Sequence, residues 1–246
     1  MIAIPRFAYE TTISYADVGS DQLLSYKGAL RLLQEAAALA SDACGYGIKD
    51  IPTKGVHWIL MGWRVELLHK PVWSTPVRIE TWPRSMEGFA DDRDFLMYAG
   101  DTLVLRASSR WFLINAQNGR IARVTDEIRS AYPMEDAKVF AEPIATNGSP
   151  LENAADNFSI LIGRRDIDTN HHVNNLCYLD YALEALPQEV YDNLPGTLEI
   201  VYRKQIMLGT EIHCLYGKRD DGKHQVEIRS TDAAGKDIHH AYIWFY

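Results

Sequence analysis

The residues able to do chemistry concentrate in one run, Arg164-Arg165-Asp166-Ile167-Asp168-Thr169-Asn170-His171-His172-Val173-Asn174-Asn175-Leu176-Cys177-Tyr178. From Asp166 to Asn175 it offers carboxylates, amides and imidazoles, and it leads into an apolar stretch of helical character, Val173 to about Leu186. Asp168, Asn170 and His172 alternate, so an extended entry to that helix would set all three on one side. In a helix, Asp168 and His172 would share a face without Asn170. The useful geometry is therefore a loop running into a helix N-terminus, where backbone N–H groups lack partners and the dipole favours developing negative charge. An asparagine amide and a helix N–H could there donate to a carbonyl oxygen, with histidine moving a proton near neutral pH. The same residue types equally suit a capped helix and a satisfied turn, so composition leaves both readings open.

Other reactive side chains give weaker signals. His171-His172 and His239-His240 are adjacent pairs whose members point apart, and no HExxH or comparable carboxylate spacing occurs, so no metal or other cofactor is expected. Cys177 and Cys214 lie in apolar surroundings and are read as core packing. No GxSxG is present, so a hydrolase built on this chain would most simply use water. Arg164-Arg165, Arg203-Lys204 and Arg120 with Arg123 are the densest basic points. Such residues are most often solvated, but a shared patch near the motif would suit an anionic phosphopantetheine or an acidic carrier protein.

Composition bounds these options. The 246 residues are 47% apolar and 24% charged, enough for one large domain or two small ones. A net charge of −8 and the lack of any Lys/Arg-rich run argue against nucleic acid. The start, Met1-Ile2-Ala3-Ile4-Pro5-Arg6, lacks the charged and long apolar regions of a signal peptide, and no apolar run is long enough to insert in a membrane. Three cysteines without CxxC spacing suggest neither a disulfide framework nor a zinc site, and a cytoplasmic location is expected.

The elements that must position the motif repeat. A strand is expected at Phe7 to Ser14, then a helix from Leu23 to Leu39 with Ser20-Asp21 as its cap and Gly45 and Gly47 beyond its end. Strands follow at Trp58–Leu68, Val77–Thr81, Asp94–Tyr98 and Thr102–Asn115. Residues 133–156 carry Pro, Gly, Asn and acidic residues without a period and read as a linker. Beyond it come a strand at Phe158–Gly163, the motif and its helix, then strands at Leu198–Leu208, Glu211–Tyr216, Gln225–Ser230 and Asp237–Tyr246. Leu24–Ala36 lies over Val173–Ala185 at an offset of 149, pairing Glu35 with Glu184, and Val77 lies over Ile212 at 135. A repeat of about 100 residues indicates a duplicated domain. One apolar helix wrapped by an antiparallel sheet is a hotdog, so an α+β double hotdog is expected: residues 1–132, a linker at 133–156, and residues 157–246 carrying the motif.

The run Asp166 to Asn175 followed by Tyr178 resembles the D-x-D-x-N-x-H-V-N-N-x-x-Y signature of the acyl-acyl carrier protein thioesterases of plants and bacteria. Trp58-Ile59-Leu60, Pro71-Val72-Trp73, Thr81-Trp82, Arg93-Asp94-Phe95, Ala107-Ser108-Ser109-Arg110-Trp111, Asn115 and Arg120 to Arg123 fall in the order of that family's first half. The resemblance implies a double hotdog that hydrolyses fatty acyl thioesters of acyl carrier protein, with catalytic positions at Asp168, Asn170 and His172 and an acyl-chain pocket in the first half. The family's further catalytic Glu, followed by Cys in plant members, falls where this chain has Gln205-Ile206. That departure removes both a thiol and the obvious base. Asp168 is then expected to act as base or to orient water, Gln205 to hold that water, and His172 to shuttle the proton. Asn170 and the helix N-terminus would polarise the carbonyl. Glu199, six residues from Gln205 along a strand, lies roughly 20 Å away and cannot substitute. An acyl-CoA thioesterase of the same fold and a non-catalytic acyl-binding hotdog are the alternatives. Either a monomer or a homodimer fits two fused hotdogs.

Overall fold

The computed structural model describes residues 6–152, 154–168 and 170–246. The chain divides into two compact units, Met1–Ile144 and Ala145–Tyr246.

The first unit runs β1 (Phe7–Thr12), α1 (Tyr26–Ala43), α2 (Ile51–Lys54), β2 (Val56–Leu67), β3 (Pro76–Glu87), β4 (Ala90–Ala99), β5 (Thr102–Asn115) and α3 (Asp126–Ala131). Its strands form an antiparallel sheet in the order β1-β3-β4-β5-β2. α1 buries Ala29, Leu30, Leu32, Leu33, Ala36, Ala37 and Ala40, a face too wide for an ordinary surface helix. That breadth is why the sheet must wrap around it. Trp63 and Phe95 meet with ring centroids 5.2 Å apart in this core. The helix begins two residues before Gly28, whose missing side chain lets it sit against Asp17: a Cβ there would come within 2.1 Å of the Asp17 carbonyl oxygen.

The second unit runs β6 (Ala155–Leu161), α4 (Asn175–Glu184), α5 (Gln188–Asp192), β7 (Thr197–Tyr202), β8 (Glu211–Lys218), β9 (His224–Thr231) and β10 (Asp237–Phe245). Its sheet order is β6-β8-β9-β10-β7. In both units the first strand pairs with the third, and the strand that follows the helix lies at the far end. The two topologies are the same, and each unit is a hotdog.

Several expected boundaries move. α1 starts at Tyr26, capped by Ser25 Oγ accepting from Gly28 N at 3.0 Å. Ser20-Asp21 is not the cap; Asp21 instead accepts from Leu23 N in an exposed turn, and Leu23 and Leu24 make bridges to Val72 and Val18. β7 ends at Tyr202, and residues 203–210 are loop, not strand. The short helices α2, α3 and α5 have too few residues to show a period, although Thr125 caps α3 with Asp126 and Glu127 in its first turn. Residues 133–154 form no helix or strand in the described chain, yet they are held down by specific contacts. Val139 N donates to Asp94 and Trp82 Nε1 to the Ala137 carbonyl in the first unit. Ala145 N donates to Glu199 and Gln225 Nε2 to the Ser149 carbonyl in the second. Asp94 also accepts from Ser108 Oγ, so these two residues tie β4, β5 and the segment at Val139 together.

Candidate active site

The motif is a tight loop between a short 3-10 turn, Arg164–Asp166, and α4. Asp166 is buried and accepts from Gly163 N at 3.0 Å, which closes the 3-10 turn. Ile167 and Val173 pair as an antiparallel bridge, so Asp168 and His172 face each other across a chain reversal. Within them Asp168 N donates to the His172 carbonyl at 2.9 Å and His171 N to the Asp168 carbonyl at 3.1 Å. His171 takes φ 64°, the left-handed conformation that closes the turn. Doubling back brings Asp168 and His172 together, with Nδ1 3.9 Å from Oδ1 and both side chains about four-fifths buried. Asp168 Oδ1 accepts from Asn170 N at 2.8 Å, and Asn170 Nδ2 lies 3.5 Å from Oδ2. Carboxylate, amide and imidazole therefore share one small loop. Thr169 of the motif lies outside the described residues.

The capping reading is answered by different residues. Asn174 caps α4, its side chain accepting from Leu176 N at 2.9 Å and its carbonyl from Cys177 N at 2.9 Å. Asp168, Asn170 and His172 are not the cap. The Asn174 side chain takes one N–H of the helix N-terminus, Leu176 N, and the Asn170 amide is exposed beside Asp168.

Gln205 is exposed in the loop after β7, and only the backbone of its neighbour Ile206 meets the motif. Ile206 O accepts from Val173 N at 2.9 Å, directly beside His172. Tyr178, buried on α4, accepts from Ile206 N at 3.2 Å and lies 3.4 Å from the Lys204 carbonyl. Tyr202 donates to the Asn175 carbonyl at 3.2 Å and packs edge-on against Tyr178. Burial pushes both phenols far above their ordinary range, so they stay protonated donors. Glu199 is committed elsewhere, accepting from Ala145 N and Tyr246 Oη. The four basic candidates divide. Arg203 and Lys204 border an open cleft of about 410 Å³ together with Asn147, Lys236, His239 and Tyr242. Arg164 and Arg165 are exposed on the 3-10 turn and do not line it, and Arg165 sits 3.6 Å from Asp166. Cys177 Sγ points to the Asp166 carbonyl at 4.0 Å, and Cys214 is buried, its thiol pushed up to about 12 by desolvation.

The first unit contains the same loop without the chemistry. At the offset of 149, Val18 and Leu24 form the matching bridge, Gly19 N donates to the Leu23 carbonyl at 2.9 Å, and Gln22 N donates to the Gly19 carbonyl at 3.0 Å. Gln22 has φ 63° where His171 has 64°. Leu24 N donates to the Pro71 carbonyl as Val173 N does to Ile206, here at the offset of 135. Gly19, Asp21, Leu23 and Lys70 thus stand where the second unit has Asp168, Asn170, His172 and Gln205. The hotdog supplies the loop in both copies, and the copies differ in the side chains it carries.

Comparison with known proteins gives the family. Residues 6–132 match the acyl-ACP thioesterase N-terminal domain and residues 152–245 the acyl-ACP thioesterase C-terminal domain. The chain belongs to the acyl-ACP thioesterase family. It is 30% identical over 207 residues to the chloroplastic oleoyl-acyl carrier protein thioesterase of Coriandrum sativum, covering 77% of this chain and 56% of that one. It is 26% identical over 216 residues to the chloroplastic palmitoyl-acyl carrier protein thioesterase of Cuphea hookeriana, covering 81% and 51%. The chain therefore spans about half the length of the curated relatives it matches. Its fold is that of an acyl-ACP thioesterase from Bacteroides thetaiotaomicron, with TM-score 0.82 at 19% identity over 97% of this chain and 96% of the other. The 12:0-ACP thioesterase from Umbellularia californica gives TM-score 0.81 at 20% identity over 97% and 95%. No helix among the described residues is long and apolar enough to cross a membrane.

Tyr178, the last residue of the signature run, stands where the first unit has Ala29 at the offset of 149. One contact escapes the sequence reading: His240, which as half of an adjacent histidine pair signals no site, is buried with its ring on the Lys204 carbonyl.

Proposed function

We propose that this acyl-ACP thioesterase family member hydrolyses fatty acyl thioesters of acyl carrier protein, releasing free fatty acid and the carrier's thiol. The observation that carries the reading is the pair of matching loops, of which one alone holds Asp168, Asn170 and His172. Family membership supplies the substrate class.

In this reading Asp168 takes a proton from water, which Gln205 helps to hold. The water oxygen bonds to the thioester carbon while the Asn170 amide donates to the carbonyl oxygen. The C–S bond then breaks, and His172 relays the proton taken up by Asp168 to the departing thiolate, which returns both groups to their starting states. Arg203 and Lys204 engage the anionic phosphopantetheine or carrier surface, with Arg164 and Arg165 on the neighbouring turn. The N-terminal hotdog, residues 1–132, takes the acyl chain. The reducing cytoplasm suits the free thiols of Cys44 and Cys214.

Free-thiol release from acyl-ACP and acyl-CoA by the wild type, Asp168→Asn and Gln205→Ala tests it. Asp168→Asn should lower turnover by about 10²–10⁴, the usual worth of a general base. Gln205→Ala should lower it about tenfold, one hydrogen bond of roughly 1.4 kcal/mol. Full activity in Asp168→Asn would sink the mechanism. Preference for acyl-CoA would reassign the donor, and no release from either would favour a binding protein.

A further inference from the structure

Both units grip the loop after the helix-following strand in the same way. β4–β5 and β9–β10 each carry a one-residue bulge, whose extra residue is Val104 in the first unit and His240 in the second. The Val104 carbonyl accepts from Leu68 N at 2.9 Å and His69 N at 3.0 Å. The His240 carbonyl accepts from Arg203 N at 2.8 Å and Lys204 N at 3.3 Å. This backbone grip belongs to the fold, since an apolar valine provides it.

The second unit adds side chains to it. His240 is 3% exposed, with Nδ1 3.0 Å from the Lys204 carbonyl and Nε2 2.8 Å from Ser230 Oγ. A carbonyl only accepts, so Nδ1 carries the proton and Nε2 accepts from the Ser230 hydroxyl. Tyr178 meets the same carbonyl and also the Ile206 amide. By register and offset the first unit has Val104, Ala99 and Ala29 at these three positions, and none of those can make such a bond. Polar side chains thus clamp the backbone on both sides of Gln205 only in the unit that bears the reactive loop.

We propose that His240 is a positioning residue for Gln205. It holds the Lys204–Ile206 backbone in the setting from which Gln205 reaches the attacking water and Ile206 anchors Val173 beside His172. The catalytic part of this inference rests on the thioesterase reading above.

His240→Val tests it, because valine already occupies the matching bulge of the first unit. Steady-state hydrolysis of acyl-ACP and amide hydrogen exchange of residues 203–206 are the readouts. His240→Val should lower kcat at least tenfold with KM unchanged and speed exchange at Lys204 and Ile206 at least tenfold. His240→Asn keeps an N–H where Nδ1 was and should restore most of both. A folded His240→Val with wild-type kcat and wild-type exchange overturns the proposal, as does a His240→Asn no better than His240→Val. Should His240→Val fail to fold, Ser230→Ala, which removes only the Nε2 partner, should give a smaller fall in kcat at unchanged KM. An unchanged kcat in that variant overturns the proposal. Should the wild type release no thiol from any donor, the thioesterase reading fails. Exchange at 203–206 then decides the positioning role alone, and rates within twofold of wild type in the variants refute it.

Discussion

Tyr178→Phe and Tyr202→Phe remove the same atom from two rings packed edge to face, yet they should differ in cost. Both tyrosines are buried, with centroids 5.3 Å apart. The Tyr178 hydroxyl is the acceptor for Ile206 N at 3.2 Å, and Ile206 is fully buried, so phenylalanine strands an N–H where water cannot reach it. An unsatisfied buried donor costs about 1–3 kcal/mol. The Lys204 carbonyl keeps His240 and is not stranded. The Tyr202 hydroxyl donates to the Asn175 carbonyl, which sits in the first turn of α4 and already accepts an intrahelical bond. Its loss should cost only the net worth of one hydrogen bond, about 0.5–1.5 kcal/mol. At about 2–4 °C per kcal/mol for a chain of this size, Tyr178→Phe should lower Tm by about 2–12 °C and Tyr202→Phe by about 1–6 °C, the former by more. Differential scanning calorimetry of both variants under one set of conditions measures the difference. Should Tyr202→Phe prove equal or more costly, the argument that Tyr178 satisfies the loop after β7 is wrong.

Acid sensitivity follows from burial. Desolvation lowers the pKa of His240 below its ordinary 6.5, so the folded ring stays neutral where the unfolded one is protonated. The unfolded state then binds more protons, and the stability of the wild type relative to His240→Asn should fall by up to about 1.4 kcal/mol per pH unit as pH drops below 6.5. Urea titrations of both proteins from pH 7.5 to 5 should show the gap closing, and a gap that widens on acidification would contradict it. Gly28→Ala forces a Cβ to within 2.1 Å of the Asp17 carbonyl, which only backbone movement relieves, so it should cost about 3 kcal/mol or more. Gly45→Ala, at φ 75° with nothing within 4 Å of a Cβ, should cost only about 1–2 kcal/mol of backbone strain. Chemical denaturation of the pair would refute the close-approach argument if the two costs were alike.

Much of the architecture was legible from the order of elements. A wide apolar helix face at Leu30, Leu33 and Ala37 has to be wrapped, and alternation in the strands shows what wraps it. The offsets of 149 and 135 hold in detail, down to matched hydrogen bonds at Gly19 and Asp168. Boundaries were less legible where local chemistry competes. Ser20-Asp21 and Ser25 are both good caps, and only the close approach of Gly28 to Asp17 selects Ser25. The stretch after Tyr202 has strand-like composition, but the grip of the bulge residue on Arg203 and Lys204 turns the chain out of the sheet.

For the site, sequence by itself determined which groups were present: Asp168, Asn170, His172, and a glutamine at 205 with no carboxylate or thiol beside it. Their chemistry is a property of residue type, so it needs no coordinates. Tertiary structure decided how they meet. A left-handed residue at His171 doubles the loop back and brings Asp168 to His172, where alternation alone predicts an extended segment. It also decided that Tyr178 and His240, 62 residues apart in sequence, converge on one carbonyl at Lys204. Periodicity reports which face a residue takes, but convergence of distant side chains depends on register, bulges and packing, and those exist only once the sheet has closed around its helix.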